Sequence, residues 1–280
     1  MVSEATVNRA QKARAVLILI GCIAAGCDRP GEQAEPPPEP AAPAPAPPSP
    51  SPTLDRAAVL SAIDAAASDA AAGVAPAGPD PLVGRTFALK VAFGCFGPEP
   101  AASGGASSGD GAPRWTASAD GRSIRLTLSP ADWTGGDVSG PAPDGFEALS
   151  GVWINQPWMR SDACPAWAVG ASGTPAVPPP ARMAGLIMVR PTGSSRLGRS
   201  GDRDFTHVVR ADGEQPVATP TQGYRLVLEG RFVGWAGGRV IRCRVVAPDR
   251  PPACIVGAAV DRIAFEDGAT GAVLSEWRPG

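Results

Sequence analysis

The sequence predicts an all-β domain, an antiparallel sandwich or barrel of short strands, preceded by one short helix. Three observations carry that expectation. Short segments in which apolar and polar residues alternate recur from Thr86 to the end. The 34 glycines and 33 prolines punctuate them with turns. After Gly73 no stretch of helix length shows helical periodicity, so strands have to bury the core.

In chain order, the first 26 residues are a leader. Arg9, Lys12 and Arg14 give it a positive start, and the apolar run Ala15–Gly26 falls short of the roughly 20 residues a helix needs to span a bilayer. Small residues Ala24, Ala25 and Gly26 then precede Cys27. This pattern resembles the export signal of bacterial lipoproteins, in which the leader is cut just before a cysteine that becomes acylated. That family usually carries Leu three residues before the cysteine, where this chain has Ala24. Leu19-Ile20-Gly21-Cys22 fits the rule better but leaves a very short apolar run. Cleavage before Cys27 leaves Cys95, Cys164, Cys243 and Cys254, an even set, whereas cleavage before Cys22 strands Cys27 as an odd thiol in an oxidising compartment. Cys27 is therefore the expected lipidation site.

The resemblance implies a signal peptide over 1–26 and a protein lipid-anchored to a membrane of the bacterial envelope, facing the periplasm. Asp28 directly after the cysteine resembles the inner-membrane retention signal of enteric bacteria. Two or three acyl chains anchor stably, at roughly 0.8 kcal/mol per buried methylene.

From Cys27 to Thr53 the chain is Pro-rich. Proline lacks an N–H and cannot join a ladder, so the expectation is an extended spacer rising about 3.1 Å per residue. Residues 54–78 follow as helix and linker. Leu54–Ala72 is the predicted helix, with Thr53 as N-cap, Asp55 near the positive end of the dipole and Gly73 as terminator. Val59, Leu60, Ile63, Ala67 and Ala70 form only a thin apolar stripe, which suggests a helix lying on the main domain or a stalk rather than a core helix.

Residues 79–280 make up the β domain. Phe87 to Cys95 alternates cleanly. Pro98–Pro113 is Gly/Ser/Ala-rich and predicts a loop. Trp115–Leu128 reads as a hairpin turned at Asp120-Gly121, and Leu149–Trp158 as a strand running into a Trp-rich corner. Leu186–Val189, Phe205–Arg210, Tyr224–Glu229 and Val240–Val246 are further strand-like runs. A last hairpin pairs Val260–Phe265 with Ala272–Trp277 about Asp267-Gly268.

Cys243 and Cys254 flank the Pro-rich turn Pro248–Pro252. Symmetric pairing about it would set their sulfurs face to face, leaving Cys95 for Cys164; four cysteines nevertheless allow three pairings.

The chain carries a formal charge of −2. Without Arg9, Lys12, Arg14 and Glu4, the 25 basic and 27 acidic residues become 22 and 26, or −4, too mild and too mixed to argue for nucleic acid. Arginine far outnumbers lysine (only Lys12 and Lys90), as codon bias in a GC-rich genome would also produce.

Candidate chemistry is sparse, and no pattern points to a cofactor. The single histidine, His207, lies in a strand-like run, and oxidised cysteines do not ligate zinc, so no metal site is expected. Gly105-Ala-Ser107-Ser-Gly109 fits the hydrolase elbow only in letters, because that elbow needs a strand before it and a helix after it. Glu266 and Asp267 are ordinary turn chemistry beside a hairpin, although glycosidic cleavage also uses paired carboxylates.

The Trp corner is the strongest candidate site. Trp153, Trp158 and Trp167 lie near Asn155, Gln156, Arg160 and Asp162, and aromatic faces beside amides and charges suit sugars or peptides. The expected patch is Trp158, Arg160 and Asp162 with Trp153 buried beneath it. The alternative is that these tryptophans are core, packed on a Cys95–Cys164 bridge. Arg196, Arg199 and Arg203 form a basic loop that could hold an anionic group, with Asp202 and Asp204 offsetting part of its charge. The expected function is a membrane-tethered, non-enzymatic binding or structural module, its partner a cell-wall glycan or an envelope protein; a periplasmic hydrolase acting on polysaccharide or peptide is the alternative.

Overall fold

In the computed structural model the described residues are 51–98, 109–136, 139–140, 144–166, 183–191, 204–213, 215–235, 237–245 and 247–278. All lie in the second of the two units into which the chain divides, Ser49–Gly280. Among the described residues one helix, α1 (Arg56–Ala71), precedes eleven strands: β1 (Thr86–Phe93), β2 (Pro113–Ala117), β3 (Ser123–Leu128), β4 (Ala131–Asp132), β5 (Phe146–Trp153), β6 (Ala184–Pro191), β7 (Phe205–Arg210), β8 (Tyr224–Phe232), β9 (Ile241–Arg244), β10 (Ala253–Asp267) and β11 (Val273–Trp277).

The fold is all-β with one short helix, in two sheets. The larger runs β1-β8-β10-β6-β5-β4, with β9 and β11 also paired to β10; the smaller runs β2-β3-β7. Strand β10 is long enough to hold four partners. Cys254 pairs Cys243 of β9 on one side and Ala184 of β6 on the other, and Ala258 pairs both Met188 of β6 and Phe232 of β8. Strands β9 and β8 therefore follow one another along one side of β10, as β6 and β11 do along the other. The β6–β10 pairing is parallel, and the remaining ladders described are antiparallel.

Alternation predicted β1 well: Phe87, Leu89, Val91 and Phe93 are buried and the residues between them are not. Strand β10 departs from the expectation. It begins at Ala253 rather than Val260, and Ala253–Ala258 is buried on both faces. Cys254, Val256 and Ala258 face the main core, whereas Ile255 belongs to a second cluster with Trp133, Trp235, Leu149 and Ile187. A strand buried on both faces reads as an unbroken apolar run, so period-2 patterning does not reveal it.

The sheets meet through aromatic contacts. Trp115 of β2 meets Tyr224 edge-on at 5.9 Å, and Phe205 of β7 meets Trp277 of β11 at 5.3 Å. Gly94 is needed for the first contact: its φ is +68°, and a Cβ there would sit 2.2 Å from the Trp115 ring.

The helix starts later than predicted. Leu54 bridges Phe87 beside β1, and its N–H and C=O are bonded to Thr86 and Ala88. Its backbone is thus committed to the sheet edge, and Asp55 rather than Thr53 is the N-cap, accepting from the Ala58 amide at 2.9 Å. Nor is α1 merely laid on the surface. Val59, Leu60 and Ile63 are buried in the main core, so its first two turns are core despite the thin stripe.

Candidate functional site

Strand β5 ends at Trp153, five residues before the predicted end, because the chain turns through Gln156 in the left-handed region (φ 49°) ahead of Pro157. One side chain holds this corner, and sequence reading passed over it. Arg56, only 5% exposed, sits at the start of α1. Its Nε donates to the Met159 carbonyl at 3.0 Å, Nη1 to Lys90 at 3.0 Å, and Nη2 to Asn155 at 2.8 Å and Gln156 at 3.1 Å. Helix, edge strand and corner are thereby joined through one guanidinium fork. Burial lowers its pKa to about 10, against the raising effect of Asp162 and with a further lowering from Arg160.

Trp158 is 60% exposed, which agrees with a surface patch. It borders a shallow pocket of about 120 Å³ with Ile63 and Ala67 of α1, Met183, Pro251 and Pro252. Of the other members of the expected patch, Arg160 is already ion-paired with Asp64 of α1, whereas Asp162 is held through its main chain, its backbone carbonyl accepting from Arg225 Nε at 3.1 Å.

Trp153 does not lie beneath Trp158 in the main core; it packs on the second cluster, 4.7 Å from Trp133. Trp133 in turn lies over Gly151, where a Cβ would come within 2.1 Å of the ring. Among the described tryptophans, Trp115 lies against the residue before Cys95, its indole N–H donating to the Gly94 carbonyl at 3.4 Å. Trp167, Arg196, Arg199 and Arg203, and all of the elbow-like run except Gly109, lie outside the described residues.

A second and larger concavity was not foreseen. Between the outer face of α1 and β9 lies a groove of about 900 Å³, lined also by residues 73–76 and 80–82. Ala62, Ala66, Ala70, Val74, Leu82, Ile241 and Val245 make its walls apolar. Asp80 fixes the segment that follows α1. Its carboxylate accepts from the Leu82 amide at 2.9 Å and the Val240 amide at 2.8 Å, while Arg239 donates to the carbonyls of Pro76 and Gly78, both at 2.8 Å. The groove joins segments about 160 residues apart, so no local pattern could disclose it.

Both predicted disulfides are present. Cys95–Cys164 ties the end of β1 to the Trp corner with a Cα separation of 5.4 Å, and Cys243–Cys254 bridges directly paired residues of β9 and β10 at 4.0 Å.

The carboxylates of the last hairpin have structural partners. Glu266 is buried and bonded to Lys90 Nζ at 2.8 Å. Asp267 accepts from the Ala269 amide and from the amide and hydroxyl of Thr270. Burial acts to raise the Asp267 pKa, but the Thr270 and Ala269 hydrogen bonds and nearby Arg225 hold it below its ordinary value. His207 lies in β7, its pKa lowered by burial. Among the described residues, no three or more His, Cys, Asp or Glu side chains gather as metal ligands would, and no helix is long and apolar enough to cross a membrane. Comparison with protein families, curated proteins and solved structures finds no match.

Proposed function

We propose that this chain is an exported envelope lipoprotein, tethered through acylated Cys27, whose β domain is a binding module facing the periplasm. The leader from Arg9 to Cys27 supports the tether. The observation that carries the binding half is the α1–β9 groove. Its volume of about 900 Å³ falls in the range of roughly 300–1,000 Å³ usual for ligand sites, and its apolar walls carry a few fixed polar groups. An envelope protein is the favoured partner, and the exposed Trp158 with its shallow pocket is a secondary contact surface suited to a glycan.

The tether is tested by metabolic palmitate labelling and membrane fractionation of wild type, Cys27→Ser and Cys22→Ser. Loss of label and release from membranes in Cys27→Ser alone supports the reading. Label that persists in Cys27→Ser but disappears in Cys22→Ser moves the anchor to the earlier cysteine.

A further inference from the structure

We propose that the α1–β9 groove docks an extended peptide segment of a partner protein, apolar at alternate positions and carrying a carboxylate, which adds as a strand to β9. This deepens the reading of the domain as a binding module and rests on it.

The backbone of β9 supplies the first reason. Among the described strands β9 pairs only with β10. The Gly257 amide donates to the Val240 carbonyl at 2.7 Å, which sets the alternation of the ladder. Val240 is then a bonded position and Ile241 and Cys243 are not, so their N–H and C=O groups point away from β10. An edge of this kind is the template for strand addition. An acyl chain has nothing to offer those groups.

The second reason is the wall beside the edge. Helix α1 stands across from β9 with alanines toward the groove, and Ile241 and Val245 lie on the strand side. Alternate apolar side chains of an added strand would bury there.

Charge supplies the third. Arg239 and Arg242 border the groove, each oriented by backbone carbonyls, Arg239 by Pro76 and Gly78 and Arg242 by Ser139. Neither has a carboxylate partner among the described residues, whereas Lys90, Arg160 and Arg262 all do. Of the acids lining the groove, Asp80 is satisfied by two amides and Asp69 lies on the helix side. The strand side is therefore cationic and asks for a carboxylate. The same charge argues against a second copy of this chain, since antiparallel addition of another β9 would bring its two arginines against Arg242 and Arg244. The Cys243–Cys254 bond pins the edge in place before any partner arrives.

The experiment pans a displayed library of random peptides of roughly ten residues against the immobilised full chain. Val245→Glu serves as the blocked control, because Val245 is 46% exposed and its replacement leaves no cavity. The expected result is enrichment of acidic peptides with alternating apolar residues. Such peptides should bind Arg242→Glu and Val245→Glu roughly tenfold more weakly or worse, the latter at unchanged melting temperature, and should slow hydrogen exchange at the Ile241 and Cys243 amides of the wild type. Three results would overturn the proposal: no enrichment over the Val245→Glu control, enriched peptides indifferent to both substitutions, or binding of palmitate or dodecyl phosphate that needs Arg242 while no peptide is enriched. Each is independent of palmitate labelling at Cys27, so the docking site and the tether stand or fall separately.

Discussion

Arg56 draws three separate segments onto one buried cation. Each carbonyl left without its donor costs roughly 1–3 kcal/mol when buried, so Arg56→Ala should destabilise the domain by about 3 kcal/mol or more. Arg56→Lys should recover only part, because an ammonium cannot reproduce the fork. Chemical denaturation of both variants checks this. The tryptophans separate in the same assay: Trp158→Ala should change stability by no more than about 0.5 kcal/mol, the usual range for a surface position. Trp133→Ala, which empties a site only 8% exposed, should cost about 3–5 kcal/mol.

His207 gives a pH signature that can be assigned, because the chain has no other histidine. Its folded pKa lies below the ordinary 6.5, so folding favours the neutral ring. The resulting stability is present above 6.5 and is lost as pH falls through the folded value. Asp267 and Glu276, lowered from 3.8 and 4.5, lose theirs further down. Thermal melts from about pH 7.5 to about pH 5 should show a first decline that His207→Gln removes.

Among the elements, the two bridges staple different things. Cys95–Cys164 spans 69 residues and Cys243–Cys254 only 11, so in the chain-entropy model their removal should cost about 4 and about 3 kcal/mol. Melting of Cys95→Ala/Cys164→Ala and Cys243→Ala/Cys254→Ala double variants measures each. Only the second is expected to free the β9 amides to exchange, since among the described strands β9 pairs with β10 alone.

Legibility followed the same division. Strand β1, the β2–β3 hairpin and the Cys243–Cys254 pairing were readable because a half-buried ladder alternates and a Pro-rich turn sets register, while β7 was readable only as a short apolar run, its burial not alternating. The first half of β10 escaped, being apolar on both faces. Asp55 displaced Thr53 as N-cap only because Leu54 is committed to β1, a tertiary constraint with no local trace.

For the whole molecule, the fold class and both disulfides were legible and most of the site was not. Exposure of Trp158 followed from its polar neighbours, but the engagement of Arg160 by Asp64 and the role of Arg56 depend on long-range contacts. The groove needs α1, the 73–82 segment and β9 together, and none of them signals it alone. The proposed tether is a separate matter, since it rests on the pattern of residues 9–27, and a leader of that kind would be removed before the domain folds. The tether is the claim on which the envelope assignment depends, and its most direct measurement is the intact mass and N-terminal sequence of the protein purified from membranes. The expected species begins at Cys27 and carries two or three acyl chains, with Cys95, Cys164, Cys243 and Cys254 all oxidised. A mature chain that begins elsewhere and carries no lipid would contradict the tether outright.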